Sequence, residues 1–213
     1  MKKIIALILA AMMLFTLVAC NTNDNGDDVN NDTTNNENTD NNDDENKAPE
    51  LAYSSAVEVL TMAWNAIPDE EKFFAMGGDY TTPVDGAPGK FDLTAEGANE
   101  ALDGMTHYPV ADFDKIDDAA TIMHGMLANN FTGAAYHFTS ADNATAMVET
   151  LKSTLLGTQW WCGFPEKMVI ISVPGDYLVV LFGIGEGAVD TFAAKTLETI
   201  AGSAIVVDQA LAE

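Results

Sequence analysis

Two apolar runs, MVIISV (168–173) and YLVVLF (177–182), stand three residues apart across Pro174, Gly175 and Asp176. Strand-like runs joined by a short Pro-Gly connection predict a β-hairpin. Neither run alternates apolar with polar residues, so both faces of the hairpin must be covered. The rest of the chain therefore has to supply a layer on each side of a sheet.

The flanking segments offer such layers. Ser55 followed by Glu58 fits a capping box, and Val57, Leu60, Trp64 and Ile67 recur at helical spacing until Pro68 stops them. Residues 77–90 (GGDYTTPVDGAPGK) read as a long loop, a possible recognition element. Ile116, Ala120, Met123 and Leu127 predict a helix from about Asp114 to Leu127. FTGAAYHF (131–138) suits a strand, and Ser140 then caps a helix carrying Met147, Val148, Leu151 and Leu155. After the hairpin, Val189, Phe192, Ala193, Leu197 and Ile200 predict a last helix, and SAIVVD (203–208) a short final strand. A helical N-terminal region followed by strand, helix, hairpin and helix is an α+β domain, its helices packed on a small, mainly antiparallel sheet.

Residues 1–19 are expected to be removed before folding. Lys2 and Lys3 precede an apolar run from Ile4 to Ala19, and Cys20 follows. A basic start and an apolar run too short for a comfortable membrane span mark an export signal. Leu17-Val18-Ala19-Cys20 resembles the lipobox of bacterial lipoproteins, which implies cleavage before Cys20 and a diacylglyceryl thioether on its sulfur. Two acyl chains anchor stably where one does not, at about 0.8 kcal/mol per buried CH₂. The resemblance thus places the protein on the outer face of the cell membrane, held by lipid on Cys20.

Between Asn21 and Asn46 the only apolar side chain is Val29. Such a segment cannot bury enough surface to offset the entropy of ordering, so it is expected to be a disordered tether. Its root-mean-square reach would be about 25 to 30 Å. Residues 47–213 remain for one globular domain. The order of lipobox, polar tether, FTGAAYHF strand, helix and YLVVLF hairpin resembles lipoproteins of Gram-positive anaerobes that carry a domain of unknown function. That likeness implies architecture and location, and no site residues.

The chain holds 33 acids against nine lysines, and no arginine. Without the signal and the tether, 24 acids face seven lysines, a net of −17. Nucleic-acid binding needs a basic footprint, and bidentate phosphate clamps are built mostly from arginine. Nucleic acids and anionic lipid surfaces are therefore disfavoured as partners.

Trp160, Trp161, Cys162, Gly163 and Phe164 form the one stretch with an enzymatic look. Trp161-Cys162-Gly163 resembles the WCGPC site of thioredoxins, where the motif follows a strand and opens a helix. Here it follows a predicted helix and precedes a strand, and the second cysteine is missing. With Cys20 lipidated, Cys162 has no partner in the chain, so dithiol exchange cannot be completed internally. Two readings stand: apolar bulk filling the gap between helix and hairpin, or a monothiol site resembling accessory proteins of bacteriocin export.

Other motifs are incomplete. Gly183-Ile184-Gly185-Glu186-Gly187-Ala188 fits G-x-G-x-x-A, with Asp208 twenty residues further on, but only five residues follow Asp208 and Glu186 opposes a phosphate. The acids Asp112, Asp114, Asp117 and Asp118 lack the Gly and Glu positions of an EF-hand and are expected to favour a helix N-terminus. His107, His124 and His137 have no ligand-like spacing, though one of them could pair with Cys162 as a nucleophilic dyad. No metal, cofactor or catalytic residue is expected. The expectation is a lipid-anchored, non-enzymatic domain that binds a protein, a peptide or a small ligand, with thiol chemistry at Cys162 as the alternative.

Overall fold

The structure, a computed structural model, describes residues 51–211; the expected signal, Cys20 and the tether lie outside them. Helix α1 (Ala56–Asn65) leads into three short strands, β1 (Ala75–Gly77), β2 (Val84–Asp85) and β3 (Gly89–Lys90). Then come α2 (Ala98–Thr106), β4 (Ile116–His124), β5 (Phe131–Phe138) and α3 (Ala141–Gly157). The hairpin β6 (Lys167–Val173) and β7 (Tyr177–Gly183), helix α4 (Asp190–Thr199) and β8 (Ala204–Ala210) complete the order. The eight strands form one sheet, ordered β2-β1-β4-β5-β7-β6-β8 with β3 also on β4, and every pairing is antiparallel.

The demand made by the hairpin is met on both sides. Val169, Ile171, Val179 and Leu181 point into a core shared with α1 and α4. Met168, Ile170, Val180 and Phe182 point into a second core shared with α2 and α3. The expected α+β class is therefore what the chain adopts, as helix, sheet and helix layers. Gly175 and Asp176 take φ of 79° and 63°, a left-handed pair that closes the hairpin.

Local signals hold at both capped helices. The Ser55 hydroxyl accepts from Glu58 N at 3.4 Å, and the Glu58 carboxylate reaches back to Ser54 N at 2.6 Å, one residue earlier than in a strict capping box. Asp118 on β4 accepts from Ala56 N at 2.7 Å, adding a carboxylate to the same helix N-terminus. Ser140 accepts from Asn143 N at 3.2 Å and starts α3.

The helix expected over Asp114–Leu127 does not form. Residues 110–115 make a 3₁₀ turn, and 116–124 are β4, a central strand paired with β5 on one side and with β1 and β3 on the other. The run IDDAATIMH carries apolar residues at helical spacing, but its Ala-rich centre also fits a strand buried on both faces, and the ladder to β5 decides. The acids assigned to a helix start have other partners: Asp112 pairs with Lys115 at 2.7 Å and Asp117 with His137.

Among the described residues two buried hydroxyls are left over, those of Tyr136 and Ser203. The Tyr136 hydroxyl lies near Thr106 but makes no hydrogen bond of ordinary geometry, and the side chain is buried against Tyr108, with ring centroids 4.8 Å apart. A buried, unpaired hydroxyl costs about 1 to 3 kcal/mol. Tyr136→Phe is therefore expected to be neutral or to stabilise by up to about 1 kcal/mol. A urea midpoint that falls on this substitution would mean that the hydroxyl is satisfied after all.

Candidate functional site

One end of the sheet gathers the N-terminus of β1, the C-terminus of β4, the start of β5 and the end of β7. A cleft of about 300 Å³ opens there, at the small end of ligand-sized pockets. Four methionines line it: Met76 on β1, Met123 opposite it on β4, Met105 from α2, and Met126 from the turn after β4. Methionine side chains are flexible and polarisable, and adapt to ligands of different shape.

The segment 77–90 builds the wall, and it does so without bulk at its base. A Cβ on Gly77 would come within 2.3 Å of Gly89 N, and one on Gly89 within 2.4 Å of Gly78 N. Only glycine lets these two backbones touch. Beside them, Asp79 is 7% exposed, and its Oδ1 accepts from the backbone N and hydroxyl of both Thr81 and Thr82 at 2.7 to 3.0 Å. Its Oδ2 accepts from Asp92 N at 3.1 Å. Burial alone would raise the Asp79 carboxyl, but these bonds outweigh it and hold the group far below the usual carboxylate range. A charged knot thus fixes the loop that presents Tyr80 and Pro83 to the cleft.

His124 forms part of the lining. Its Nδ1 accepts from Met126 N at 3.3 Å and Leu127 N at 3.4 Å, which shapes the turn, and its ring stacks on Phe73 at 5.6 Å. Next to this turn lies the Trp160–Phe164 loop. The Asn129 side-chain amide donates to the carbonyls of Trp161 at 2.9 Å and Gly163 at 3.2 Å, so the two loops are tied together.

That loop is not the plug expected of it. Trp160 alone packs inward, its ring 4.9 Å from His107 and 5.3 Å from Phe182. Trp161 is 77% exposed and Phe164 73%, and Cys162 is exposed at a φ of 57°. The reason is the Asn129 tether, which fixes the backbone on the surface while Trp160 takes the available core space. Burial against Trp160 lowers the His107 pKa, with Asp103 opposing.

None of the three histidines hydrogen-bonds Cys162: His107 packs edge-on against Trp160, His124 holds the 126–127 turn and His137 pairs with Asp117. Among the described residues, no group of three or more His, Cys, Asp or Glu converges as a metal site. Gly183 to Ala188 closes β7 and begins a π turn over 185–189 that leads into α4, and Asp208 pairs with Lys167 at 3.0 Å. β7 and β8 run in the same direction, but antiparallel β6 lies between them, so the fingerprint lacks the adjacent parallel strands of a dinucleotide site.

No protein family, curated protein or solved structure matches this chain. The site rests on its own geometry. Of the residues singled out in the sequence, Trp160, Trp161, Cys162 and Phe164 sit together beside the cleft, and the 77–90 loop forms its wall. The methionine lining escaped notice because Met76 and Met123 become neighbours only through the β1–β4 register, and β4 read as a helix.

Proposed function

We propose that the protein is an exported lipoprotein, anchored at the outer face of the cell membrane through Cys20, whose domain works by binding. The observation that supports binding is the methionine-lined cleft, apolar, open, and bounded by a loop whose conformation is fixed by Asp79. A rigid scaffold carrying adaptable side chains is the usual build of a recognition site. Its ligand is a protein, a peptide or a small apolar molecule.

The test is a ligand titration with methyl-labelled methionine. Binding at the cleft shifts the methyl signals of Met76, Met105, Met123 and Met126 and leaves the fully buried Met147 and Met168 in place. Ligands that move only other methionines would overturn the assignment. Anchoring has its own test: Cys20→Ala is expected to abolish acyl labelling and detergent-phase partition.

The exposure of Cys162 supports a second reading, monothiol exchange. The Cys162 thiolate would attack a partner's disulfide, forming a mixed disulfide and releasing the partner's other sulfur as thiolate. Rapid alkylation of the native protein follows from exposure alone, so the deciding result is turnover of a disulfide substrate that Cys162→Ser removes.

A further inference from the structure

Exposed apolar side chains extend the cleft into a larger surface at the same end of the sheet. Met126 is 83% exposed, and the following residues, Leu127 and Asn129, lie against Gly163. Phe74, whose backbone carbonyl accepts from Gly125 N at 2.8 Å, is also exposed, as is Tyr80. The cleft, the 125–129 turn and the Trp161–Phe164 loop are therefore continuous through named contacts. Large exposed apolar patches rimmed by polar residues mark interaction sites.

The charge around this surface has one sign. All six lysines from 51 to 211 lie 2.7 to 3.8 Å from a carboxylate, while the same span holds 22 acids. At this end, Lys72 is engaged by Asp69, and Lys167 by both Asp190 and Asp208. Exposed Glu70 and Glu71 lie just before Phe73 and Phe74, and exposed Glu166 follows Phe164 by two residues. Asp103, within two residues of Met105, is close enough to His107 to pull on its proton. An anionic lipid surface or a second copy of this chain would meet like charge here, which costs free energy at both encounter and contact.

We infer that this end of the domain docks a cationic amphipathic peptide segment, a conclusion that rests on the binding reading above. Its apolar residues enter the methionine-lined cleft, as an amphipathic helix seats anchors at i, i+3 or i+4, and i+7 in a groove. Its lysines and arginines face Glu70, Glu71 and Glu166, and the exposed rings of Tyr80 and Trp161 offer π faces to the same cations. The segment belongs to a partner, since the six lysines among the described residues are already paired.

The probe is a synthetic peptide patterned from leucine and lysine, dye-labelled and titrated by anisotropy. The full chain is held in uncharged lipid nanodiscs, with empty discs as the blank. Two further peptides keep the leucines and replace lysine with glutamine or with glutamate. The expected order is lysine tightest, glutamine at least about tenfold weaker, and glutamate unbound, with the lysine peptide weakening about tenfold or more between about 0.05 and about 0.5 M salt.

Tyr80→Ser combined with Met126→Ser keeps the net charge and is expected to weaken the lysine peptide about tenfold or more. Leu156→Ser, at an exposed position on α3, is expected to leave it unchanged. If the lysine and glutamine peptides bind equally, the cationic partner is wrong and the binding cleft stands. If the paired serine variant binds as tightly as the parent chain, the attraction is diffuse and the docking surface is wrong. If no peptide binds while small apolar ligands still move the cleft methionines, the peptide inference falls alone; if those ligands also fail, both readings fall.

Discussion

Phe131→Ala is expected to lower the unfolding free energy by about 3 to 5 kcal/mol, enough to leave a domain of ordinary stability near its threshold. Phe131 is fully buried at the start of β5, its ring 4.9 Å from Phe73 and 5.4 Å from Phe192. It joins the sheet to α4 on one side and to the segment before β1 on the other. Deleting the ring leaves a cavity, and Phe73, which carries the stacked ring of His124, loses its support. Urea unfolding should show the loss, and Phe131→Leu should recover most of it, because a cavity cost scales with the volume removed. A Phe131→Ala variant within about 1 kcal/mol of the parent would mean that the neighbouring rings collapse into the gap.

Asp79→Ala is expected to cost about 2 to 4 kcal/mol at neutral pH, and the cost depends on pH. The folded carboxyl titrates well below its unfolded value of about 3.9, because its hydrogen bonds favour the charged form more than burial disfavours it. A depressed carboxyl contributes its full stability above the unfolded value and loses it as pH falls through the folded one. The gap between parent and variant should therefore be constant from about pH 7 to about pH 5 and narrow below about pH 4. Urea midpoints across that range measure it. A gap that does not narrow in acid would assign the loss to packing instead of charge. Because Asp79 fixes the loop carrying Tyr80 and Pro83, the variant should also broaden the methyl signals of Met76 and Met123.

The legible parts of the sequence were those with local chemistry. Ser55 and Ser140 mark helix starts through their own hydroxyls, and Pro174-Gly175-Asp176 can do little but turn. Helix α2 escaped because it begins at Gly97, a left-handed residue with no side chain to cap it, and carries Gly104 within it. Strands β1 to β3 are two or three residues long, too short for a period to appear. The mistaken helix at β4 is a conflict between local spacing and pairing partners 9 to 49 residues away, most of which no short window of residues contains. At the site, the sequence pointed to the Trp161–Cys162 loop for its thiol, whereas the structure makes that loop a neighbour of a cleft assembled from three separate segments.

The domain has two poles, and its chain enters at the one away from the cleft. Leu51 presses on Gly175 in the β6–β7 turn, where a Cβ would come within 2.5 Å of its Cδ1, and the Tyr53 hydroxyl donates to Pro174 O at 2.7 Å. Met76 and Met123 lie level with the far end of β7, across β5 from it. A domain grasped from its N-terminal side, by a bead, a fusion partner or a lipid, keeps its handle clear of its mouth. Whatever the cleft receives can approach without crossing Leu51 or Tyr53.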